Sequence, residues 1–253
     1  MVGNLIDPFG SDPARAGLFL DFDGVLADIA PTPDAARIRP SLPDLLVALS
    51  ARLGRVTIIS GRPVDYVAPM VPDEVDVIGL YGLESRTSGR RRTLPEAEAW
   101  RTTVAEVTAA AVERFGDAVE PKGLSLTIHY RGDPAQAAPM RSWASSEASR
   151  TGLEVREAKQ SFELHPPIER DKGTALEELA DGLDPVAYVG DDIGDLPAFD
   201  GLDRLADRGV TTVRVVVDSS ETPAELRARA DVVVDGTAAV EELLRVLLDA
   251  AAA

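Results

Sequence analysis

An apolar run that ends in two aspartates constrains the fold of this chain more than any other feature. Residues 18–26 read Leu-Phe-Leu-Asp-Phe-Asp-Gly-Val-Leu, so the apolar segment leads directly into Asp21 and Asp23. Such a run, bounded by glycine, predicts a strand buried in a parallel sheet, and ligands bind at the carboxyl ends of these strands. Two carboxylates this close predict a cation beside them. An ordinary acidic turn is the alternative, because Asp-Gly is a common turn signal.

Three later segments carry polar groups that suit a phosphate group or a metal ion. Ser60 and Gly61 follow an apolar strand, where a hydroxyl and backbone N–H groups can hold phosphate oxygens. Asp191, Asp192 and Asp195 follow another apolar strand, and clustered carboxylates of this kind favour Mg²⁺. Lys172 lies near the start of a predicted helix. Taken one at a time, these segments are also compatible with a turn, a solvated acidic loop and a solvated lysine.

Taken together and in order, the segments resemble the four motifs of the haloacid dehalogenase superfamily of phosphatases. The motifs read Asp21-Phe22-Asp23-Gly24, Ile58-Ile59-Ser60-Gly61-Arg62, Asp171-Lys172-Gly173 and Val189-Gly190-Asp191-Asp192-Ile193-Gly194-Asp195.

The resemblance implies a role for each of these residues. Asp21 is expected to be the nucleophile that forms an aspartyl-phosphate, and Asp23 the general acid and base. Lys172 is expected to neutralise charge, and Ser60, Gly61 and Lys172 to bind the phosphate. Mg²⁺ is expected to be held by Asp21, the carbonyl of Asp23 and Asp191. The carboxylates of Asp192 and Asp195 would support these ligands without contacting the ion, or would bind it only occasionally.

The alternation of strands and helices predicts the fold class. Both terminal parts of the chain alternate in this way, which predicts an α/β fold with a doubly wound parallel sheet, similar to the haloacid dehalogenase core. The middle of the chain follows an αββαββ order, which predicts an inserted α+β cap domain with an antiparallel sheet. We therefore expect a catalytic core over residues 1–88 and 168–253 and a cap over 89–167. Residues 1–16 are expected to be a loose lead-in, and 89–92 a flexible basic stretch.

Polar and apolar residues alternate strictly in two predicted strands of the cap. Ser125, Thr127, His129 and Arg131 share one face of the first strand, and Glu163 lies on the polar face of the second. Carboxylates accept hydrogen bonds from sugar hydroxyls, whereas lysine, arginine and histidine donate them. The alternative is a polar face that meets water, as in most antiparallel sheets.

The cap segments resemble those of trehalose-6-phosphate phosphatases. The resemblance rests on residues 120–125, 129–131 and 162–166, and on Gly79-Leu80-Tyr81-Gly82-Leu83-Glu84 in the core. It implies that Glu120, Lys122 and Glu163 bind glucose hydroxyls, and we expect His129 and Arg131 to contact the substrate as well. The fourth motif departs from the family, because Gly194 and Leu196 stand where threonine and glutamate are usual. Metal affinity or loop geometry would differ there.

Composition excludes several other classes of protein. The formal net charge of −17 argues against nucleic acid and anionic membranes as partners, although screening allows a local anion site. The chain has no cysteine, which excludes disulfides and thiolate chemistry. Residues 1–9 lack the features of a signal peptide, and a spanning apolar run is not found, so we expect a cytoplasmic protein, monomeric or weakly oligomeric.

The sequence therefore predicts a phosphoric monoester hydrolase that depends on Mg²⁺ and converts trehalose 6-phosphate to trehalose and phosphate. A related sugar phosphatase acting on sucrose phosphate or glucosylglycerol phosphate is the first alternative. A non-catalytic sugar-phosphate sensor is the second, although a sensor has no need of an acid/base such as Asp23.

Overall fold

The computed structural model describes residues 2–30, 35–158 and 160–252. The chain divides into two compact units, a core unit of Met1–Arg91 with Arg170–Ala253 and an inserted unit of Arg92–Glu169. Within the described residues the helices are α1 (Val2–Ser11), α2 (Leu42–Ser50), α3 (Val64–Val67), α4 (Pro95–Glu98), α5 (Arg101–Phe115), α6 (Ala137–Thr151), α7 (Lys172–Leu179), α8 (Leu196–Asp207), α9 (Ala224–Ala228) and α10 (Gly236–Ala250). The strands are β1 (Gly17–Leu20), β2 (Arg55–Ile59), β3 (Asp76–Gly79), β4 (Glu84–Thr87), β5 (Arg90–Thr93), β6 (Val119–Pro121), β7 (Leu126–His129), β8 (Glu154–Ala158), β9 (Ser161–His165), β10 (Val186–Gly190), β11 (Thr212–Asp218) and β12 (Val232–Asp235).

The core unit is built on a mostly parallel sheet, which confirms the predicted α/β class. Its strand order is β12-β11-β10-β1-β2-β3-β4-β5, with parallel pairing from β12 to β3 and an antiparallel step to β4. Alternate residues of β1 are buried on opposite faces. Leu18 and Leu20 pack with residues of α2 and α10, whereas Phe19 packs with residues of α7 and α8. Both faces of the sheet are therefore covered by helices, which is why β1 is apolar throughout.

Two local predictions for the core unit are wrong. The lead-in is not loose, because α1 packs against α10 and Phe9 is buried in the apolar cluster beneath it. The stretch 89–92 is not flexible, because β5 pairs with β4 to extend the sheet. Ser88 and Gly89 both have positive φ, the geometry of two-residue turns that match the twist of paired strands.

Helix boundaries also differ from the predictions. The first helix of the predicted αββαββ order is divided into α4 and α5, with an interruption around Trp100. The helix predicted near Lys172 begins at Lys172 itself, because Asp171 caps it. Helix α8 was not predicted, although Phe199 and Leu202 are fully buried on its inner face.

The inserted unit contains the predicted antiparallel sheet, in the order β6-β7-β9-β8. One face carries Leu126, Ile128, Phe162 and Leu164, which pack with residues of α5 and α6 in a separate apolar cluster. The opposite face is polar. No helix within the described ranges is long and apolar enough to cross a membrane.

Candidate active site

The carboxyl ends of three neighbouring strands bring most of the predicted core residues to one edge of the sheet. Asp21 follows β1, and its backbone N–H donates to the Val189 carbonyl of β10 at 2.9 Å. Ser60 follows β2, and Asp191 follows β10. Strand β1 lies between β2 and β10, where the strand order reverses. Open α/β sheets bind their ligands at such a position.

A buried ion pair joins Asp21 to Lys172. The Nζ atom of Lys172 lies 2.8 Å from Oδ2 of Asp21, and the two side chains are 4% and 6% exposed. The N–H of Phe22 donates to Oδ1 of Asp21 at 2.7 Å. Lys172 occupies the first position of α7, and Asp171 caps that helix by accepting from the N–H of Thr174 at 2.7 Å. This helix capping by Asp171 fixes the start of α7 and thereby the position of Lys172 in the site.

Asp195 is fully buried and holds several neighbours in place. Its Oδ1 accepts hydrogen bonds from Nζ of Lys172 and from the hydroxyl of Tyr188, both at 2.7 Å. Its Oδ2 accepts from the backbone N–H groups of Asp191 at 2.8 Å and Asp192 at 3.1 Å. Because both oxygens are engaged within the protein, Asp195 positions Lys172 and the loop after β10.

The pKa values at this edge reflect the burial of several like charges. Burial raises the pKa of Asp21 well above its usual range, against the lowering effect of Lys172. Burial and the carboxylates of Asp195, Asp21 and Asp192 raise the pKa of Asp191 to about 9. Burial disfavours the charged form of Lys172, but the carboxylates of Asp195 and Asp21 outweigh it and raise the pKa of the ammonium. A divalent cation would relieve the repulsion between the carboxylates.

The donor set suits a divalent metal ion. Asp21, Asp191, Asp192 and Asp195 each offer one oxygen within 4.8 Å of the others, and hard cations prefer such oxygen ligands. Asp195 is already engaged, and Oδ1 of Asp192 accepts from the N–H of Gly194 at 2.8 Å. Asp191 is therefore the best placed of the four to bind an ion, since the oxygens of Asp21 contact Lys172 and the N–H of Phe22. Gly24 has a φ of 74°, and a Cβ there would clash with the carboxylate of Asp191, so glycine is needed for this approach.

Asp23 lies apart from this acid cluster and pairs with Arg62. Its Oδ2 accepts from Nε of Arg62 at 2.7 Å, and its Oδ1 from Nη2 at 2.9 Å. The guanidinium carbon of Arg62 also lies 4.7 Å from the centre of the Tyr66 ring. A bidentate pair of this kind fixes both the position and the orientation of the carboxylate.

The loop after β2 is closely packed against the segment after β3. The hydroxyl of Ser60 accepts from the N–H of Arg62 at 3.1 Å, and the Ser60 carbonyl accepts from the N–H of Tyr81 at 3.1 Å. Leu80 and Tyr81 both have positive φ, which is uncommon outside glycine. A Cβ on Gly61 would lie 2.6 Å from the Tyr81 hydroxyl. The shape of this loop therefore depends on glycine at position 61.

The polar face of the inserted unit is organised around Glu163. Its Oε1 accepts from the hydroxyl of Ser125 at 2.7 Å and lies 3.6 Å from Nζ of Lys122. Its Oε2 lies 3.8 Å from Nη1 of Arg156. Glu163 is 2% exposed, so its negative charge is buried between two cations and a hydroxyl. A buried carboxylate with these partners is held in one orientation.

The remaining predicted cap residues lie on either side of this cluster. Nε2 of His129 and Oε2 of Glu120 lie 2.9 Å apart. The prediction that Arg131 continues the alternating face is wrong, because β7 ends at His129. Arg131 is exposed in a turn that closes when the N–H of Asp133 donates to the Tyr130 carbonyl at 3.1 Å.

Three further residues at these sites are not among the predicted site residues: Arg62, Arg156 and Tyr188. Arg62 stands directly after the Ser-Gly pair of the second motif, and that position was the available signal. Arg156 lies opposite Glu163 in the β8–β9 register, which alternation along β8 could have indicated. The hydroxyl of Tyr188 sits inside an otherwise apolar strand, and the sequence offers no sign of its partner.

Comparison with known proteins identifies relatives of the chain. The family model described as trehalose-phosphatase matches residues 19–233. A probable trehalose-phosphate phosphatase of Sinorhizobium fredii is 31% identical over 212 residues, which cover 80% of this chain and 79% of that protein. The trehalose-phosphate phosphatase of Mycobacterium ulcerans is 32% identical over 210 residues, which cover 77% of this chain. The chain spans about half (53%) of that longer relative.

Solved structures share the fold. The C-terminal domain of C. albicans trehalose-6-phosphate phosphatase superposes with a TM-score of 0.79, at 21% identity, and the match covers 98% of this chain and 96% of that domain. A trehalose-6-phosphate phosphatase related protein superposes with a TM-score of 0.77, at 22% identity, over 92% of this chain and 96% of the other.

Proposed function

Because the chain belongs to the trehalose-phosphatase family, we propose that it hydrolyses trehalose 6-phosphate to trehalose and inorganic phosphate. The observation that carries the proposal is the buried pair of Asp21 and Lys172 at the carboxyl end of β1. A carboxylate held by a lysine at that position suits attack on a phosphomonoester, whose negative charge the ammonium offsets.

In the first step of the proposed reaction, a carboxylate oxygen of Asp21 attacks phosphorus. The bond between phosphorus and the sugar oxygen breaks, and Asp23 donates a proton to that oxygen so that trehalose leaves as a neutral alcohol. In the second step, Asp23 takes a proton from water, and the resulting hydroxide displaces Asp21 from phosphorus. Phosphate is released and both carboxyl groups return to their starting states.

Lys172, Ser60 and Gly61 are proposed to hold the phosphoryl oxygens during both steps. Support comes from their place at the same sheet edge as Asp21, with the side chains of Lys172 and Ser60 buried. The engagement of Asp195 with Lys172 would keep the ammonium directed at this edge. Fixed positive charge of this kind stabilises the transition state without reorganisation.

Mg²⁺ is the proposed metal ion, held by Asp21, Asp191 and the carbonyl of Asp23, with Asp192 and Asp195 behind them. The oxygen-only cluster and the raised pKa of Asp191 support a divalent cation. When bound, the ion would supply positive charge to the phosphoryl oxygens.

Glu120, Lys122, His129, Arg131 and Glu163 are proposed to recognise the sugar. The clustering of carboxylates with cationic groups on one face of the inserted sheet supports this assignment for Glu120, Lys122, His129 and Glu163, and Arg131 lies in the turn after β7. Residues 89–167 would then serve as the cap of a catalytic core formed by 1–88 and 168–253. We also propose that the protein acts in the cytoplasm, as a monomer or weak oligomer.

A panel of substrates tests the proposal. Phosphate release should be measured with trehalose 6-phosphate, sucrose 6-phosphate, glucosylglycerol phosphate and p-nitrophenyl phosphate. We expect kcat/KM to be highest for trehalose 6-phosphate. Preference for another disaccharide phosphate would contradict the substrate, and binding of trehalose 6-phosphate without phosphate release would identify a sensor instead.

A further inference from the structure

Thr127 lies at the centre of the polar face of the inserted sheet. The strand registers place it directly beside Glu120 of β6 on one side and Glu163 of β9 on the other. Arg156 of β8 completes the row across the sheet. A threonine hydroxyl therefore stands between two acidic side chains on the face that we propose for sugar recognition.

The hydroxyl of Thr127 is buried without a hydrogen bond. The residue is 4% exposed, and its Oγ1 has no partner in the part of the chain that the structure describes. The two acidic neighbours of Thr127 have other partners, since Glu120 pairs with His129 and Glu163 accepts from Ser125. Buried hydroxyl groups are nearly always hydrogen-bonded in proteins, so an unpaired one requires an explanation.

A second unpaired threonine provides a comparison. Thr57 of β2 is fully buried, and its Oγ1 also has no partner within the described residues. Thr57 shares its face of the core sheet with Phe19 and Ile59, which belong to an apolar cluster. Thr57 pairs across the sheet with Asp76, whose carboxylate already accepts from Arg55 and from the N–H of Ser88, and this face packs with residues of α7 and α8. Thr127 instead lies on the polar face of the inserted sheet.

We infer that the hydroxyl of Thr127 binds a sugar hydroxyl and contributes to substrate specificity. The inference rests on the proposed function, since it assigns a further contact to the same sugar site. A carboxylate can only accept hydrogen bonds, so a sugar hydroxyl that donates to Glu120 or Glu163 keeps its lone pairs unused. Thr127 can donate into one of them. One carboxylate would then accept from the sugar hydroxyl while Thr127 donates to it, so both functions of the sugar hydroxyl would be satisfied.

The variant Thr127→Val tests this contact, because valine keeps the branched shape and removes only the hydroxyl. We expect kcat/KM for trehalose 6-phosphate to fall about 3- to 10-fold, the usual effect of one neutral hydrogen bond. The value for p-nitrophenyl phosphate should not change. Trehalose, used as an inhibitor of p-nitrophenyl phosphate hydrolysis, should show a Ki raised by the same factor.

Thr127→Ser and Thr57→Val are the matched controls. The serine variant keeps the hydroxyl and should retain most of the wild-type kcat/KM, and the variant at position 57 should leave both substrates unaffected. Unchanged kinetics in Thr127→Val, or equal losses on both substrates, would overturn the inference. A serine variant as impaired as the valine variant would also overturn it, since shape would then be decisive. If the wild-type protein does not hydrolyse trehalose 6-phosphate at all, the proposed function fails instead.

Discussion

The guanidinium of Arg62 donates two hydrogen bonds to the carboxylate of Asp23, from Nε to Oδ2 at 2.7 Å and from Nη2 to Oδ1 at 2.9 Å. The two residues are far apart in sequence and come from different loops of the sheet edge. Since both oxygens of Asp23 are engaged, the proposed general acid is held in one orientation. It must exchange one of these bonds for the leaving oxygen during the reaction.

Arg62→Lys should therefore impair hydrolysis of trehalose 6-phosphate, because lysine keeps the charge but cannot form the bidentate hydrogen bonds to Asp23. We expect kcat to fall about 10-fold, a part of the ~10²–10⁴ that general acid catalysis typically contributes. The kcat for p-nitrophenyl phosphate should fall much less, because its leaving group needs little protonation.

A double variant tests whether Arg62 acts through Asp23. If it does, adding Arg62→Lys to Asp23→Asn should cause little further loss, since the effects of coupled residues are not additive. Fully multiplicative losses would show that Arg62 acts independently, for example on the phosphate.

Asp21→Asn should abolish turnover while the fold persists, because the amide is a poor nucleophile of the same size. Loss of a covalent nucleophile can lower kcat by on the order of 10⁶. Steady-state phosphate release measures the loss, and circular dichroism confirms the fold. A variant that keeps a tenth of wild-type kcat would contradict the covalent mechanism.

Removal of divalent metal should abolish activity, and Mg²⁺ should restore it. The buried acids around Asp191, with its pKa raised to about 9, need a cation to be charged together. Mg²⁺ should also raise the Tm of the wild-type protein, because a ligand that binds the folded state stabilises it. In Asp191→Asn both responses should be lost or strongly weakened. Full activity in EDTA, or an unchanged Mg²⁺ response in the variant, would show that the metal assignment is wrong.

Glu163→Ala should damage turnover of trehalose 6-phosphate far more than turnover of p-nitrophenyl phosphate. A hydrogen bond to a charged group is typically worth ~1.5–3 kcal/mol, which corresponds to about 10- to 150-fold in kcat/KM. Glu157→Ala is the matched control, because Glu157 is an exposed glutamate of the neighbouring strand β8, paired with Arg141. It should leave both substrates unaffected. Equal losses on the two substrates in Glu163→Ala would place Glu163 outside the sugar site.

Local patterns in the sequence were enough to predict the sheet and its acidic edge. The apolar run before Asp21 predicts a buried strand, because only a strand covered on both faces is apolar throughout, and residues that follow such strands collect at one edge. The alternation around Thr127 and Glu163 likewise predicts their shared face, since side chains of a strand point alternately to its two sides. These features depend on neighbours in the chain and are visible without a structure.

Only the tertiary structure decided which side chains meet. Packing brings Arg62 to Asp23 and Lys172 to Asp195 from distant segments. It also joins Arg156 to Glu163 and Tyr188 to Asp195, which lie closer together in the sequence. The structure also showed that both oxygens of Asp195 are engaged, whereas the hydroxyl of Thr127 is not. Sequence pattern cannot supply this information, because hydrogen-bond satisfaction depends on distances of a few tenths of an ångström and on burial. Burial, in turn, determines how much each unpaired or like-charged group costs.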